Sequence, residues 1–285
     1  MPAVPAELEG LVDDAAVFPP GNAPLAEAVA AYRRHPDEPY AALVGALVVS
    51  DTHLPELARL AGEVPDADPL PVSVVVSGGA GGIEPVARWC DSPGLELQAV
   101  EAALRDLDGL ADNARRLVAA ADSAGLQVPV YVEPPVPPAT GAHGWLAALD
   151  EVAAADQRIK LRTGGVDAER FPTAGQVASF LDAALDRELP FKCTAGLHHA
   201  VRHRATDTGF EHHGFLNVLL ATRAALDGED AVAVLEERDP AALLGRWQAV
   251  ETDALVRTRR WFTSFGCCGV TDPWSDLLRL GLVTA

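Results

Sequence analysis

The chain has 285 residues, 49% of them hydrophobic and 22% charged, with 41 acidic against 22 basic residues and a formal charge of −19. That is globular composition with ample material for one large core. The charge disfavours nucleic acid or an anionic membrane surface as a partner, and no apolar run approaches the ~18 residues of a membrane-spanning helix.

The first residues, Met-Pro-Ala-Val-Pro-Ala-Glu, have neither a basic n-region nor an apolar h-region. Cys90, Cys193, Cys267 and Cys268 lack zinc-site spacing. Together these predict a reduced, cytoplasmic protein with free thiols. The vicinal Cys267-Cys268 pair reads as two apolar residues of an aromatic-rich tail, because neighbouring cysteines form only a strained disulfide.

In chain order, strands are predicted at Leu11–Phe18, Ala42–Ser50, Pro71–Ser77, Leu95–Ala103, Val128–Glu133, Arg158–Thr163, Phe191–Thr194 and Ala231–Glu236. Helical periodicity falls between them at Pro24–Arg34, Leu54–Leu60, Ile83–Cys90, Leu110–Ala124, Gly144–Ala155, Ala174–Arg187 and Gly214–Leu226. Eight βα repeats at this length favour an α/β fold of the (β/α)8 TIM-barrel type over an open doubly wound sheet. No G-x-G-x-x-G follows the first strand, which lowers a dinucleotide-binding reading further. Gly78-Gly-Ala-Gly-Gly82 reads as a flexible turn, since no P-loop lysine follows it. Pro134–Pro138 is a stiff loop at the rim after the fifth strand, where barrel active sites lie. Pro240–Arg260 reads as helix, then an aromatic and cysteine-bearing segment leads to a short helix at Pro273–Leu280. No linker divides the chain, so residues 1–285 are read as one barrel domain with a C-terminal helical extension.

Lysine occurs only at Lys160 and Lys192, although arginine is abundant. Lysine, unlike arginine, can lose its proton and act as a nucleophile. Both lysines lie in short apolar strands, Arg158-Ile-Lys-Leu-Arg162 and Pro190-Phe-Lys-Cys-Thr194. Alternation sets Ile159, Leu161, Phe191 and Cys193 towards the helices, and Lys160, Arg162, Lys192 and Thr194 into the barrel. Two amines on adjacent strands would disfavour each other's charge and bring one into the nucleophilic range. The plainer reading is that both lysines, with Arg162, bind an anion or neutralise buried carboxylates.

The stretches Ile159-Lys-Leu-Arg-Thr-Gly-Gly165 and Phe191-Lys-Cys-Thr-Ala-Gly-Leu197 resemble the sixth and seventh strands of class I aldolases of the deoxyribose-phosphate aldolase type. The resemblance is confined to these strands and the helix between them. It implies that Lys160 is the Schiff-base lysine and that Lys192 lowers its pKa. The family's inward carboxylate on the fourth strand has Gln98 in the matching place, with Glu96 on the same face and Glu101 on the other face or past the strand end. The family's phosphate-binding turn after the eighth strand is replaced by Leu235-Glu-Glu-Arg-Asp239, whose acids would repel phosphate. A non-phosphorylated substrate is therefore expected.

His198 and His199 follow the seventh strand at the catalytic rim and are candidates for acid/base work. His212-His213 reads as structural. Glu133, ending the fifth strand beside Lys160, is placed to balance charge or carry a proton. In Asp13-Asp14 one member must face inward, and Asp14 is the candidate for a relay or an Arg162 partner. Thr194 and Gln98 complete the candidate substrate contacts, and Asp51-Thr-His53 reads as a helix cap.

The expected function is an aldolase-like lyase that takes a small carbonyl substrate through a lysine imine, without cofactor or metal. Lys160 and Lys192 form the catalytic pair, Glu133 with His198 or His199 moves protons, and Arg162 orients the substrate. A metal-dependent barrel hydrolase using His53, His198, His199 and Asp14 stays open as an alternative. So does a non-catalytic barrel that binds a small anion, and so does homo-oligomerisation.

Overall fold

The computed structural model describes residues 4–64, 67–138, 142–206 and 209–284; the first three residues of the N-terminal segment considered above lie outside them. Eight parallel strands close into a barrel: β1 (Val12–Asp14), β2 (Val44–Ser50), β3 (Leu70–Val76), β4 (Leu95–Ala103), β5 (Val130–Glu133), β6 (Arg158–Arg162), β7 (Phe191–Thr194) and β8 (Phe262–Cys267). Each strand pairs with its neighbours in chain order, and β8 returns to β1. The strands are covered by α1 (Leu25–Tyr32), α2 (Leu54–Gly62), α3 (Ile83–Cys90), α4 (Leu110–Ser123), α5 (His143–Ala154), α6 (Ala174–Asp186) and α7 (Phe215–Leu226). Three further helices, α8 (Ala231–Glu236), α9 (Pro240–Ala249) and α10 (Thr252–Thr258), precede β8, and α11 (Thr271–Arg279) follows it. The (β/α)8 barrel with C-terminal helices is thus the observed fold. Among the described residues no helix is long and apolar enough to cross a membrane.

The sequence reading misplaces the eighth strand. Ala231–Glu236 is helix α8, started by Asp230, whose carboxylate accepts the amides of Val232 and Ala233. A short apolar run of Ala, Val and Leu carries no period that separates strand from buried helix, so the cap decides. The true eighth strand comes from the aromatic segment expected to be tail, and Phe262 stacks on Phe191 with centroids 5.4 Å apart. Glu236 and Glu237 therefore do not follow a barrel strand, and the ground given for a non-phosphorylated substrate falls away.

The expected strand phase holds where the lysines lie. Ile159, Leu161, Phe191 and Cys193 are at most 1% exposed in the layer between barrel and helices, and Lys160 pairs in register with Lys192. Phase fails in β4. Val72 pairs with Leu97 but Ser73 pairs with Ala99, so Gln98 is an extra residue in a bulge. One inserted residue reverses every later side chain of the strand. Glu101 therefore points into the barrel, not away from it, and Gln98 is exposed near the strand's start.

Close backbone contact joins the β6 and β7 ends. A Cβ on Gly164 would stand 2.9 Å from the Gly196 Cα, and a Cβ on Gly196 would stand 2.8 Å from the Thr163 carbonyl oxygen. Gly196 also has φ +80°, a conformation that favours glycine. At the opposite end of the barrel, Arg259 binds the carbonyls of Glu7 and Glu9 and ties the N-terminal segment under β1 and β8.

Candidate active site

The inward faces of the strands bring six charges into one continuous chain. Arg162 Nε donates to Glu133 Oε1 at 2.8 Å, and Glu133 Oε2 lies 2.9 Å from Lys160 Nζ. Lys160 also donates to Glu101 Oε2 at 2.8 Å. The other oxygen of Glu101 accepts from Lys192 Nζ at 2.7 Å and from the Ser73 hydroxyl at 2.6 Å. Lys192 reaches Asp13 Oδ2 at 2.6 Å, and the Ser264 hydroxyl donates to that oxygen at 2.7 Å. Asp13 Oδ1 accepts the Ala46 amide at 3.0 Å. Three cations face three carboxylates, so the formal charges cancel. That balance is what permits Lys160 and Lys192 to be only 2% exposed.

The pairing overturns the expected sign of the lysine perturbation. Burial alone would lower the Lys160 pKa, but the adjoining Glu101 and Glu133 carboxylates outweigh it and raise it. Lys192 behaves alike: burial opposes its charge, while Asp13 and Glu101 hold it above the ordinary lysine value. Burial would push Glu101 up, yet Lys160 and Lys192 bring it well below the usual carboxylate range. Glu133 is also lowered, by Lys160 and Arg162 against burial. At rest both amines are ammonium ions. The carboxylates between them remove the mutual repulsion on which a lowered amine pKa depends.

The interior is layered. β6 alone sends three cations inward, Arg158, Lys160 and Arg162, at successive heights. Arg162 stands at the C-terminal mouth, with its side chain 33% exposed. Thr194 pairs with Arg162 on one side and Gly266 on the other, and a Cβ on Gly266 would meet Thr194 Oγ1 and the Ala15 Cβ at 3.6 and 3.7 Å. Small groups thus lie over Lys192 on the mouth side.

Several candidates sit elsewhere than sequence suggests. Asp13 is the inward member of its pair. Asp14 faces the helix layer, where Oδ2 lies 2.8 Å from His35 Nε2 and Oδ1 accepts the Ala16 amide; it makes no ion pair with Arg162. Gln98 lies in the bulge towards the N-terminal end, and Glu101 takes the inward position assigned to it. His198 and His199 are at the C-terminal rim but turned to α11: His198 Nδ1 is 3.6 Å from Asp272 and His199 Nδ1 is 3.2 Å from Asp276. Asp276 also accepts the Ala200 amide at 2.8 Å. The histidines thus fasten the segment after β7, which continues as a hairpin pairing His203–Arg204 with Glu211–His212.

Burial lowers the pKa of His198 and raises those of Cys193, Cys267 and Cys268. All four cysteines are free thiols. Among the described residues no group of three or more His, Cys, Asp or Glu is arranged to hold a metal ion; His53, His198, His199 and Asp14 form no such set.

Asp13, Glu101, Ser73 and Ser264 are the site residues that sequence reasoning misses. A signal exists for two of them: Ser73 is a polar residue in an otherwise apolar strand, and Ser264 follows Thr263 in a strand whose other residues are Phe, Gly and Cys. Glu101 is hidden by the bulge. No family model matches the chain, and no curated protein matches it either.

Proposed function

We propose that the protein is a lyase for a small carbonyl compound, acting at the C-terminal mouth of the barrel through an imine on Lys160. One observation carries this reading: of the two lysine amines, only Lys160 is paired with Glu133, a carboxylate that can take its proton and that Arg162 holds from the mouth side. Its proton passes first to Glu133. The free amine then adds to the substrate carbonyl, giving a carbinolamine whose hydroxyl leaves as water. The resulting protonated imine lies between Glu101 and Glu133, where the ammonium stood. Glu133, a carboxylate again once its proton has left with that water, takes the proton of the substrate's β-hydroxyl; the carbon–carbon bond breaks, one fragment departs as a carbonyl compound, and the bond's electron pair passes to the cationic nitrogen. The enamine so formed takes that proton back from Glu133 before water releases the second product and restores the amine. Lys192 serves here as the fixed partner of Glu101 and Asp13, holding Glu101 in place. Glu101, rather than Gln98, is the inward residue of β4 beside Lys160, a carboxylate of the kind that the resemblance calls for on this strand.

Because Lys160 rests as an ammonium, imine formation should accelerate with pH. Borohydride reduction with a panel of small aldehydes and ketones, followed by peptide mapping, tests the proposal. A reduced adduct on Lys160, growing with pH, supports it; an adduct on Lys192 reverses the roles. No adduct with any carbonyl, together with retained activity in Lys160→Arg, overturns it.

The raised lysine pKa values favour a second reading, a barrel that binds a small anion without catalysis, in which the lysines are permanent charges and Arg162 meets the ligand. Saturable anion binding that is lost in Arg162→Gln, without any trapped adduct, would select it.

A further inference from the structure

The charge chain is reached from two ends. Besides the C-terminal mouth, a cavity of about 390 Å³ opens among the N-terminal ends of β2 to β6. It lies at the lower end of the range for small-molecule sites. The N-terminal segment is tied to Arg259 through the Glu7 and Glu9 carbonyls, and none of its described residues from 4 to 10 lines the cavity. Polar groups on its wall include Ser73, Gln98, Tyr131 and Arg158, and its inner end is the Asp13–Lys192 pair.

The charges of that wall are unequal. Asp13 and Lys192 neutralise each other at 2.6 Å. Arg158 has no carboxylate within ion-pair distance among the described residues. It donates to the Tyr131 hydroxyl at 2.8 Å and lies over the Tyr131 ring, 5.5 Å from its centroid. Glu96, the acid at the exposed start of β4, makes no ion pair with it. Every other cation on the inner face of β6 has a carboxylate, Lys160 two and Arg162 one. Arg158 is the exception, and it faces a cavity.

We propose that this cavity is a second binding site, at the end of the barrel opposite the C-terminal mouth, for a small monocarboxylate whose carboxylate pairs with Arg158. A planar guanidinium held by one donor bond keeps its remaining N–H groups for a bidentate partner. One unpaired cation sets the preference for a single negative charge. Gln98 at the rim and the Tyr131 hydroxyl supply polar contacts for a substituent such as a hydroxyl. The site is independent of the imine chemistry and stands if that reading fails.

Lactate is the probe, followed by saturation-transfer NMR titration of the whole protein, with inorganic phosphate in parallel. Wild type should bind lactate saturably. Arg158→Gln should weaken binding by about tenfold or more, and Arg162→Gln, at the other mouth, should leave it unchanged. Gln98→Trp fills the cavity entrance without touching an ion pair and should weaken lactate alike, which preserves the test if Arg158→Gln does not fold. Absence of saturable binding, or binding unchanged in the folded variants, overturns the site. Loss in Arg162→Gln moves the ligand to the C-terminal mouth, and preference for phosphate overturns the carboxylate assignment.

Discussion

Lys160 and Lys192, 32 positions apart in sequence, are held by opposite oxygens of the same carboxylate. Glu101 Oε2 takes the first at 2.8 Å and Oε1 the second at 2.7 Å. Replacing that carboxylate by an amide removes one negative charge and leaves two buried ammoniums to share Asp13 and Glu133. Glu101→Gln should therefore cost about 3–5 kcal/mol in denaturant unfolding. Ser73→Ala, which removes one hydrogen bond to the same group, should cost about 1–3 kcal/mol. Equal effects would show that Glu101 is not what holds the lysines.

The same pairs set the alkaline limit of stability. The folded-state pKa values of Lys160 and Lys192 lie above the ordinary lysine value of 10.5. Their contribution is therefore complete below that value and lost as pH rises through the folded-state values. Urea midpoints should hold steady up to about pH 10 and fall above it. In Lys192→Met, which removes one titrating amine, the alkaline fall should be smaller; an unaltered slope counts against the pairing.

His213 sets a separate acid limb. It is fully buried, its Nε2 lies 2.8 Å from the Pro172 carbonyl oxygen and its Nδ1 lies 3.1 Å from Arg202 Nη1. Burial pushes its pKa down to about 4 from 6.5. A depressed histidine favours the fold fully above its unfolded value and loses that contribution as pH falls from 6.5 towards 4. The loss is on the order of 3 kcal/mol. His213→Gln should flatten the decline in unfolding free energy between about pH 6.5 and 4.5, whatever its stability at neutral pH.

Two glycines should respond oppositely to alanine. Gly196 carries φ +80° against the Thr163 carbonyl, so Gly196→Ala should lower stability by about 1–3 kcal/mol. Gly245 lies within α9, and a methyl group added there would meet nothing within 4 Å. Gly245→Ala should therefore raise stability by about 0.5–1 kcal/mol. Thermal melts of the two variants check both signs.

Sequence makes the barrel and the lysine pair legible because both rest on local alternation. Arg158-Ile-Lys-Leu-Arg162 and Phe191-Lys-Cys-Thr194 each state their phase within a few residues. The carboxylates are less legible because their placement is a property of neighbouring strands. Glu101 turns inward only because β4 takes an extra residue against β3, and Asp13 rather than Asp14 turns inward because of how β1 joins β8. The eighth strand escapes for a different reason. Ala231–Glu236 is too short for its period to speak, whereas Phe262–Cys267 hides its strand character in an aromatic run that also contains glycine and cysteine.

The division of the charge chain along the polypeptide bears on how such a barrel can be assembled. Of the six paired groups, the first four strands supply Asp13 and Glu101, and the last four supply Glu133, Lys160, Arg162 and Lys192. To this chain one half-barrel thus contributes two negative charges and the other a net two positive, with the inward Arg158 adding a further positive charge to the second half. Two copies of either half would repel across the axis, while unlike halves attract. A barrel rebuilt from a duplicated half of this chain should fail to close, and separately expressed halves should select each other over themselves.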